Sequence, residues 1–183
     1  MDQPSMDMED AYRFAPAAPD EKYVYGAAAP GWHAAADHET AVSAWITFMR
    51  DRGIRRVCCL VPGADSVDGC VSNLERYDAA FGKEHVVHAP LLDRQLGDRS
   101  VLEETILPFL EASVRREAPV VVHGLSGLGR TGQVLAAWLV YGRGFDAERA
   151  VETVEDMGRF PTEPVDTGRA TEDELLDRLT AVG

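Results

Sequence analysis

Apolar residues of this chain fall into short continuous runs that alternate with helical periods. Between residues 39 and 52 the apolar side chains of Val42, Trp45, Ile46 and Met49 recur at helical spacing, and Gly53 follows them. Similar periods predict helices at 71–81, 100–117, 131–141, 146–157 and 171–182, and apolar runs predict buried strands at 56–61, 85–89 and 120–122. Strands that alternate with helices predict an α/β sandwich with a mostly parallel sheet.

The helix over 100–117 carries its own boundary signals. Ser100 is predicted to be its N-cap, and Glu103 three residues later would complete a capping box. Pro108 lies inside the pattern and predicts a kink.

The first residues show no such periodicity. Residues 1–22 are rich in Asp, Glu, Met, Pro and Ala, so we expect a flexible N-terminal arm, followed by a single domain over 23–183. The start has no basic-then-apolar leader, which disfavours secretion by a standard signal peptide. The longest apolar run, at 134–141, is too short to span a bilayer.

Charge narrows the range of partners. The 183 residues include 31 acids and 18 bases, a net charge of −13, which disfavours nucleic acid or an anionic membrane as the main partner. Lysine occurs only at Lys22 and Lys83, and an acidic, lysine-poor composition resembles that of proteins from salt-loving archaea. Three cysteines, Cys58, Cys59 and Cys70, make no disulfide framework, so a cytoplasmic setting is expected.

The segment most informative about function follows the third predicted strand. Residues 120–132 read VVVHGLSGLGRTG, an apolar strand, a glycine-rich turn and the start of an apolar helix. Glycines let successive amides turn inward, and the helix N-terminus adds partial positive charge, so the loop is predicted to bind a phosphate group. The predicted phosphate-binding residues are Gly124, Leu125, Ser126, Gly127, Leu128, Gly129 and Arg130, the last as a planar fork for two oxygens.

Two other phosphate loops fit this segment less well. Residues 124–131 match the P-loop of NTPases except that Arg130 replaces its lysine, and no later strand ending in an aspartate is apparent. Gly124, Gly127 and Gly129 give a loose dinucleotide fingerprint, which also expects a further strand with an acidic residue.

The segment resembles the signature loop of the cysteine-dependent protein phosphatases, tyrosine and dual-specificity, whose pattern is H-C-x-x-G-x-x-R-[ST]-G. His123, Gly127, Arg130, Thr131 and Gly132 match it in register. The resemblance implies a three-layer sandwich with four to five central strands and catalysis without a cofactor. No metal site is expected, because the five histidines show no ligand spacing. The resemblance also implies a general acid about 30 residues before the cysteine, where Asp93 lies, with Asp98 as a nearby competitor.

The departure from this pattern is at the nucleophile, because position 124 is Gly. Cys58 and Cys59 belong to a predicted core strand, Cys70 has no evident partner, and Ser126 is expected to point away from the floor of the loop, so none is expected to replace the missing thiolate. His123 is predicted to support the loop from behind. In the family, Thr131 would ease departure of the thiolate and Asp93 would protonate the leaving oxygen.

These observations lead to a hypothesis with two alternatives. The protein is predicted to bind a phosphorylated protein or a small phosphoester without hydrolysing it, in an unknown oligomeric state. One alternative is an active phosphatase, either because Asp93 would activate a water or because Gly124 would be a recorded or recent single-base change from cysteine. The other is a P-loop-like nucleotide binder. Residues 25–32 and 158–168 are candidates for the pocket walls.

Overall fold

The computed structural model describes residues 8–31, 37–62 and 70–183, with side chains from residue 73 onward in the last range. The strands are β1 (Ala15–Pro16), β2 (Val24–Ala27), β3 (Arg56–Cys59), β4 (Val86–His88) and β5 (Val120–His123). The first helices are α1 (Met8–Ala11), α2 (His38–Asp51), α3 (Cys70–Phe81), α4 (Arg99–Val101) and α5 (Leu107–Arg115), with a 3-10 turn at Lys83–His85. They are followed by α6 (Gly129–Arg143), α7 (Ala147–Asp156), α8 (Glu163–Asp166) and α9 (Glu172–Ala181).

The strands form one five-stranded sheet in the order β1-β2-β5-β3-β4. β2, β5, β3 and β4 are parallel, whereas the two-residue strand β1 pairs antiparallel with β2, so the sheet is mixed. The strand β5 is central, with Val122 opposite both Gly26 and Cys58. The α/β sandwich expected from the sequence is therefore confirmed, with one antiparallel edge strand added to it.

Helices cover both faces of the sheet. Successive side chains of a strand point to opposite sides, and the apolar side chains on each side pack against helices. Val57 and Val121 face a cluster that contains Trp45 of α2 and Tyr77 of α3. Cys58 and Val122 face the opposite cluster, which takes in side chains of α5, α6, α7 and α9. The carboxyl ends of the parallel strands consequently open at one edge of a three-layer structure, the usual place for a site in such folds.

The helix predicted at 100–117 begins differently from its sequence signals. The Asp98 side chain accepts a hydrogen bond from the Val101 amide at 3.1 Å, so Asp98 is the N-cap and the prediction of Ser100 is wrong. The Ser100 hydroxyl donates to the Glu104 carboxylate instead. Pro108 lies just after a π-helical turn, Leu102–Ile106, which joins α4 to α5. Such wider turns accommodate a residue that lacks an amide hydrogen.

The segment before residue 23 packs against the domain from Met8 onward, which differs from the expectation of a flexible arm. Its anchor is Glu21, whose carboxylate is buried and accepts hydrogen bonds from Trp138 Nε1 at 2.7 Å and from Arg143 at 3.0 Å. A single buried carboxylate thus fastens this segment to α6. Among the described residues, no helix is long and apolar enough to cross a membrane.

Candidate active site

A cavity of about 150 Å³ opens where β5 ends and α6 begins. It is lined by Asp93, Arg94, Gly124, Leu125, Ser126, Gly127, Leu128, Gly129, Arg130, Thr131 and Glu163. All the residues from 124 to 131, together with Asp93, therefore meet in one concavity at the carboxyl edge of the sheet.

The loop over residues 124–128 has every carbonyl group bonded to the protein. The Gly124 carbonyl accepts from His123 Nδ1, and the Leu125 carbonyl accepts from the Ala29 amide. The Ser126 and Gly127 carbonyls accept from the guanidinium groups of Arg13 and Arg159. The Leu128 carbonyl accepts from the amides of Gly132 and Phe160. By contrast, the amides of Leu125, Ser126, Gly127 and Gly129 donate to no acceptor in the described part of the chain. A row of free amides at a helix N-terminus is the ordinary arrangement of an anion site.

The curl of this loop depends on tight packing at Gly127. Its φ is 75°, and a Cβ built on it would come within 2.7 Å of the Ala27 backbone. The buried guanidinium of Arg159 bonds the Gly127 carbonyl at 2.7 Å and the Gly26 carbonyl at 2.9 Å. Burial lowers the pKa of Arg159 to about 10, with a smaller contribution from Arg13, so Arg159 still carries its charge at neutral pH. Arg159 therefore ties the loop to β2.

His123 supports the loop from behind the sheet as a neutral ring. Burial, together with repulsion from Arg130 and His88, lowers its pKa to about 4, against the opposing effect of its contact with Gly124. The Tyr77 hydroxyl lies 3.1 Å from His123 Nε2, and Nδ1 lies 2.9 Å from the Gly124 carbonyl, which can only accept. Nδ1 therefore carries the proton, and Tyr77 donates to Nε2.

Gly124 has room for a side chain. Its amide donates to Thr131 Oγ1 at 3.1 Å, and its φ lies outside the left-handed region. A Cβ built there would lie 3.6 Å from both Thr131 Oγ1 and Arg130 Nε, which is ordinary van der Waals contact. Neither the backbone nor the packing requires glycine at this position.

Arg130 and Asp93 lie side by side at the cavity. The Arg130 side chain is only 4% exposed, donates to the Leu91 carbonyl at 3.1 Å, and has its Nε 3.7 Å from Asp93 Oδ1. Asp93 is half exposed and also lies 4.0 Å from Arg94. Asp98, the competing candidate, caps a helix and does not line the cavity, so of the two aspartates it is Asp93 that lies at this site.

The turn that carries Asp93 is fastened by residues that sequence reasoning did not identify. Gln133, buried in α6, accepts from the Gly97 amide at 2.8 Å and donates to the Gln95 carbonyl at 2.9 Å. Arg178 of α9 donates to the Gly97 carbonyl. One signal was available, since Gln133 is a polar residue in an otherwise apolar stretch of helix.

Glu163 was also missed as an individual residue, although it belongs to the stretch 158–168 that the sequence proposed as a pocket wall. The first residue of α8, it lines the cavity beside Gly129. The other proposed wall contributes indirectly through Ala27, which backs the loop, and its last residue, Trp32, lies outside the described residues.

The cysteines do not line the cavity in the described part of the chain. Cys58 and Cys59 are buried in β3, and burial raises the pKa of the Cys58 thiol to about 12. The side chain of Cys70 lies outside the described residues. Among the residues described, no group of three or more His, Cys, Asp or Glu could hold a metal ion.

Comparison with known proteins places this site in a family context. Residues 32–144 match the family model described as the polymorphic toxin system DSP-PTPase phosphatase. The dual specificity protein phosphatases OPG106 of monkeypox virus and of vaccinia virus are 28% identical over 67 residues, which is 37% of this chain. That match spans 39% of the length of these viral relatives.

Solved structures share the fold over nearly the whole chain. Tk-PTP in its active form has a TM-score of 0.65 and 24% identity, covering 88% of this chain and 93% of Tk-PTP. PTPMT1 in complex with PI(5)P has a TM-score of 0.67 and 14% identity, covering 92% of this chain and 96% of PTPMT1. The chain therefore belongs to the DSP-PTPase phosphatase family of polymorphic toxin systems, within the superfamily of cysteine-dependent phosphatases.

Proposed function

We propose that this protein binds a phosphate group in the loop 123–132 and does not hydrolyse it. The observation that carries the proposal is a contrast within the loop. Every carbonyl from 124 to 128 accepts a hydrogen bond from the protein, whereas four amides have no acceptor among the described residues and can donate to a ligand. Arg130 adds a buried guanidinium to the lining of the cavity, and the N-terminus of α6 adds partial positive charge.

The inactivity follows from Gly124, which we assign to the position of the family's nucleophilic cysteine. It directly follows His123, and its amide bonds Thr131, both of which match the family's pattern in register. Glycine offers no atom to attack phosphorus. The Ser126 hydroxyl accepts a hydrogen bond from the Leu128 amide within the loop and does not lie at the Gly124 position.

Loss of the thiolate favours binding. A thiolate beneath a phosphate would repel it by about 4 kcal/mol per charge pair at about 4 Å and an effective dielectric near 20. Glycine in place of cysteine costs roughly 1 kcal/mol in ordering the loop. The balance supports phosphate affinity at least equal to that of an active relative.

The proposed ligand is a phosphorylated protein or a small phosphoester. Two proteins of similar structure were solved in complex with a phosphate ester, TpbA from P. aeruginosa with pTyr and PTPMT1 with PI(5)P. A phosphate ester is therefore the chemistry that their ligands share. The buried thiols of Cys58 and Cys59 fit a cytoplasmic location.

One observation favours the alternative of an active phosphatase. Asp93 lies beside Arg130 at the cavity, where it could orient a water or protonate a leaving oxygen. A water so activated would have to reach the phosphate without a covalent intermediate.

Calorimetric titration with inorganic phosphate tests the binding proposal. We expect one phosphate per chain, and at least about tenfold weaker binding by Arg130→Met, because the bidentate guanidinium is lost. Arg50→Met is the matched control, since Arg50 is an exposed residue in the last turn of α2 and does not line the cavity. A flat titration of the wild type, or equal weakening by both variants, would contradict the proposal.

A further inference from the structure

Two carboxylates, Asp93 and Glu163, lie at the mouth of a cavity otherwise built for an anion. Asp93 has Arg130 and Arg94 within 4.0 Å. No hydrogen bond or ion pair holds the Glu163 carboxylate within the described residues, although it lies against the first residue of α6: a Cβ on Gly129 would be 3.0 Å from Glu163 Oε1. Glu163 is thus the acid at this mouth whose charge is not compensated by a direct contact.

The electrostatic surroundings of Glu163 lead to the same conclusion. Burial raises its pKa above the usual value, and the negative charge of Asp93 raises it further, while Arg94 and Arg130 only partly oppose this. The ionised Glu163 carboxylate, without a directly bonded cation among the described residues, repels a phosphate and attracts a positively charged group. A ligand that carries both a phosphate and a cationic group would bind the loop amides and pair with Glu163 at the same time.

The walls of the cavity do not favour an aromatic ester. Among the described lining residues, the apolar side chains are Leu125 and Leu128, and none is aromatic. A ring would therefore lack the aromatic and apolar walls that usually hold one.

The surface beyond the cavity favours a polypeptide over a small phosphoester. Leu92 is 62% exposed and directly precedes Asp93. Phe160 is 37% exposed, and its amide bonds the carbonyl of the loop residue Leu128. Each of these two exposed side chains adjoins a residue that lines the cavity, so a polypeptide that extends beyond the phosphate group would contact them.

We propose that the ligand is a phosphorylated polypeptide segment with a basic residue next to the phosphorylated one, selected by Glu163. This inference rests on the proposed phosphate binding and adds the class of partner. The phosphate occupies the loop amides and Arg130, and the neighbouring basic side chain pairs with Glu163.

Three phosphoserine heptapeptides, identical except for Arg, Ala or Glu on both sides of the phosphoserine, test this. By calorimetry with the full chain, the Arg peptide should bind about fivefold tighter than the Ala peptide, the size of one partly exposed ion pair, and the Glu peptide should bind weakest. In Glu163→Gln the preference for Arg should fall to less than about twofold. Glu152→Gln, which removes an exposed acid of α7 outside the cavity, should keep the full preference.

Inorganic phosphate is titrated in parallel to separate this inference from the binding proposal. Phosphate binding without any preference among peptides, or a preference that survives in Glu163→Gln, overturns the selection by Glu163 and leaves the proposed function standing. Binding of the Ala or Glu peptide at least as tightly as the Arg peptide overturns it as well. Absence of phosphate binding overturns both.

Discussion

His123 and Thr131 hold the two sides of residue 124. His123 Nδ1 donates to the Gly124 carbonyl, and Thr131 Oγ1 accepts from the Gly124 amide. Because both partners are buried, the backbone at this position is fixed without any help from its own side chain. The backbone of the proposed phosphate loop is therefore held in place at a position that is glycine.

Removal of the Tyr77 hydroxyl tests the support behind the loop. In Tyr77→Phe the buried Nε2 of His123 loses its donor, so the free energy of unfolding should fall by about 1–2 kcal/mol. Urea unfolding measures this. Tyr141→Phe is the control, because that hydroxyl bonds Glu111 at the surface, and its change should stay within about 0.5 kcal/mol. Equal losses in the two variants would contradict the assigned role of Tyr77.

At the scale of the elements, α6 contributes to both sides of the site. Its N-terminus closes the loop 124–128, and one turn later Gln133 fastens the turn that carries Asp93. A single helix therefore fixes the distance between the two halves of the cavity.

Hydrogen exchange at Gly97 tests this link. In Gln133→Leu the Gly97 amide loses its acceptor, so we expect it to exchange at least about tenfold faster than in the wild type. Gln95→Ala is the control, since the bond to Gln133 uses the Gln95 backbone carbonyl, which this change keeps. Equal exchange rates in the two variants would show that Gln133 does not hold the turn.

The elements differ in how well the sequence predicts them. The apolar runs of β3 and β5 predict these strands because they are buried from both faces of the sheet, and the shorter run of β4 predicts a strand that is only partly buried at the sheet edge. β2 lies in a stretch of glycine and alanine, and β1 has two residues, so neither carries a strand pattern and both depend on pairing. The helix cap was misassigned because two capable residues, Asp98 and Ser100, lie two positions apart.

The residues of the candidate site also differ in how well the sequence predicts them. That residues 124–131 lie together at one site could be predicted because they are contiguous and their spacing is dictated by the curl of one backbone segment. Arg159 and Glu163 could not be assigned individually, since they come from a later segment and reach the loop only through the packing of the stretch after α7. An arginine or a glutamate in a polar stretch carries no local signal of such a contact.

At the scale of the whole molecule, Glu21 joins the N-terminal segment to α6. Burial alone would raise its pKa, but hydrogen bonds from Arg143, Trp138 and the Tyr23 amide bring it below the usual value. A carboxylate with a lowered pKa in the folded state contributes stability at neutral pH, and that stability is lost as the pH falls through about 4.5 and below.

Replacement of Glu21 should therefore act in a pH-dependent manner. In Glu21→Gln the free energy of unfolding at pH 7 should fall by about 1–3 kcal/mol, a range that allows for the partial exposure of Arg143. The difference from the wild type should shrink at pH 3.5, as followed by urea unfolding. A difference that stays constant with pH would indicate that the charge of Glu21 has no part in it.

The net charge of −13 leads to a prediction for salt. Repulsion among surface carboxylates opposes the compact state, and salt screens it. The midpoint of thermal unfolding should rise between about 0.1 and 2 M KCl. A midpoint that falls over this range would argue against the adaptation to high salt that the composition suggests.

The most direct measurement is a phosphatase assay of the wild-type protein, Gly124→Cys and Gly124→Ser, with a phosphoserine peptide and an aryl phosphate as parallel substrates. A Cβ at position 124 would make only ordinary van der Waals contacts, and of the two substitutions only cysteine supplies a thiolate nucleophile. Our account predicts no turnover by the wild type or by Gly124→Ser, and turnover that rises by orders of magnitude in Gly124→Cys. Hydrolysis by the wild type at a rate similar to that of Gly124→Cys would contradict it.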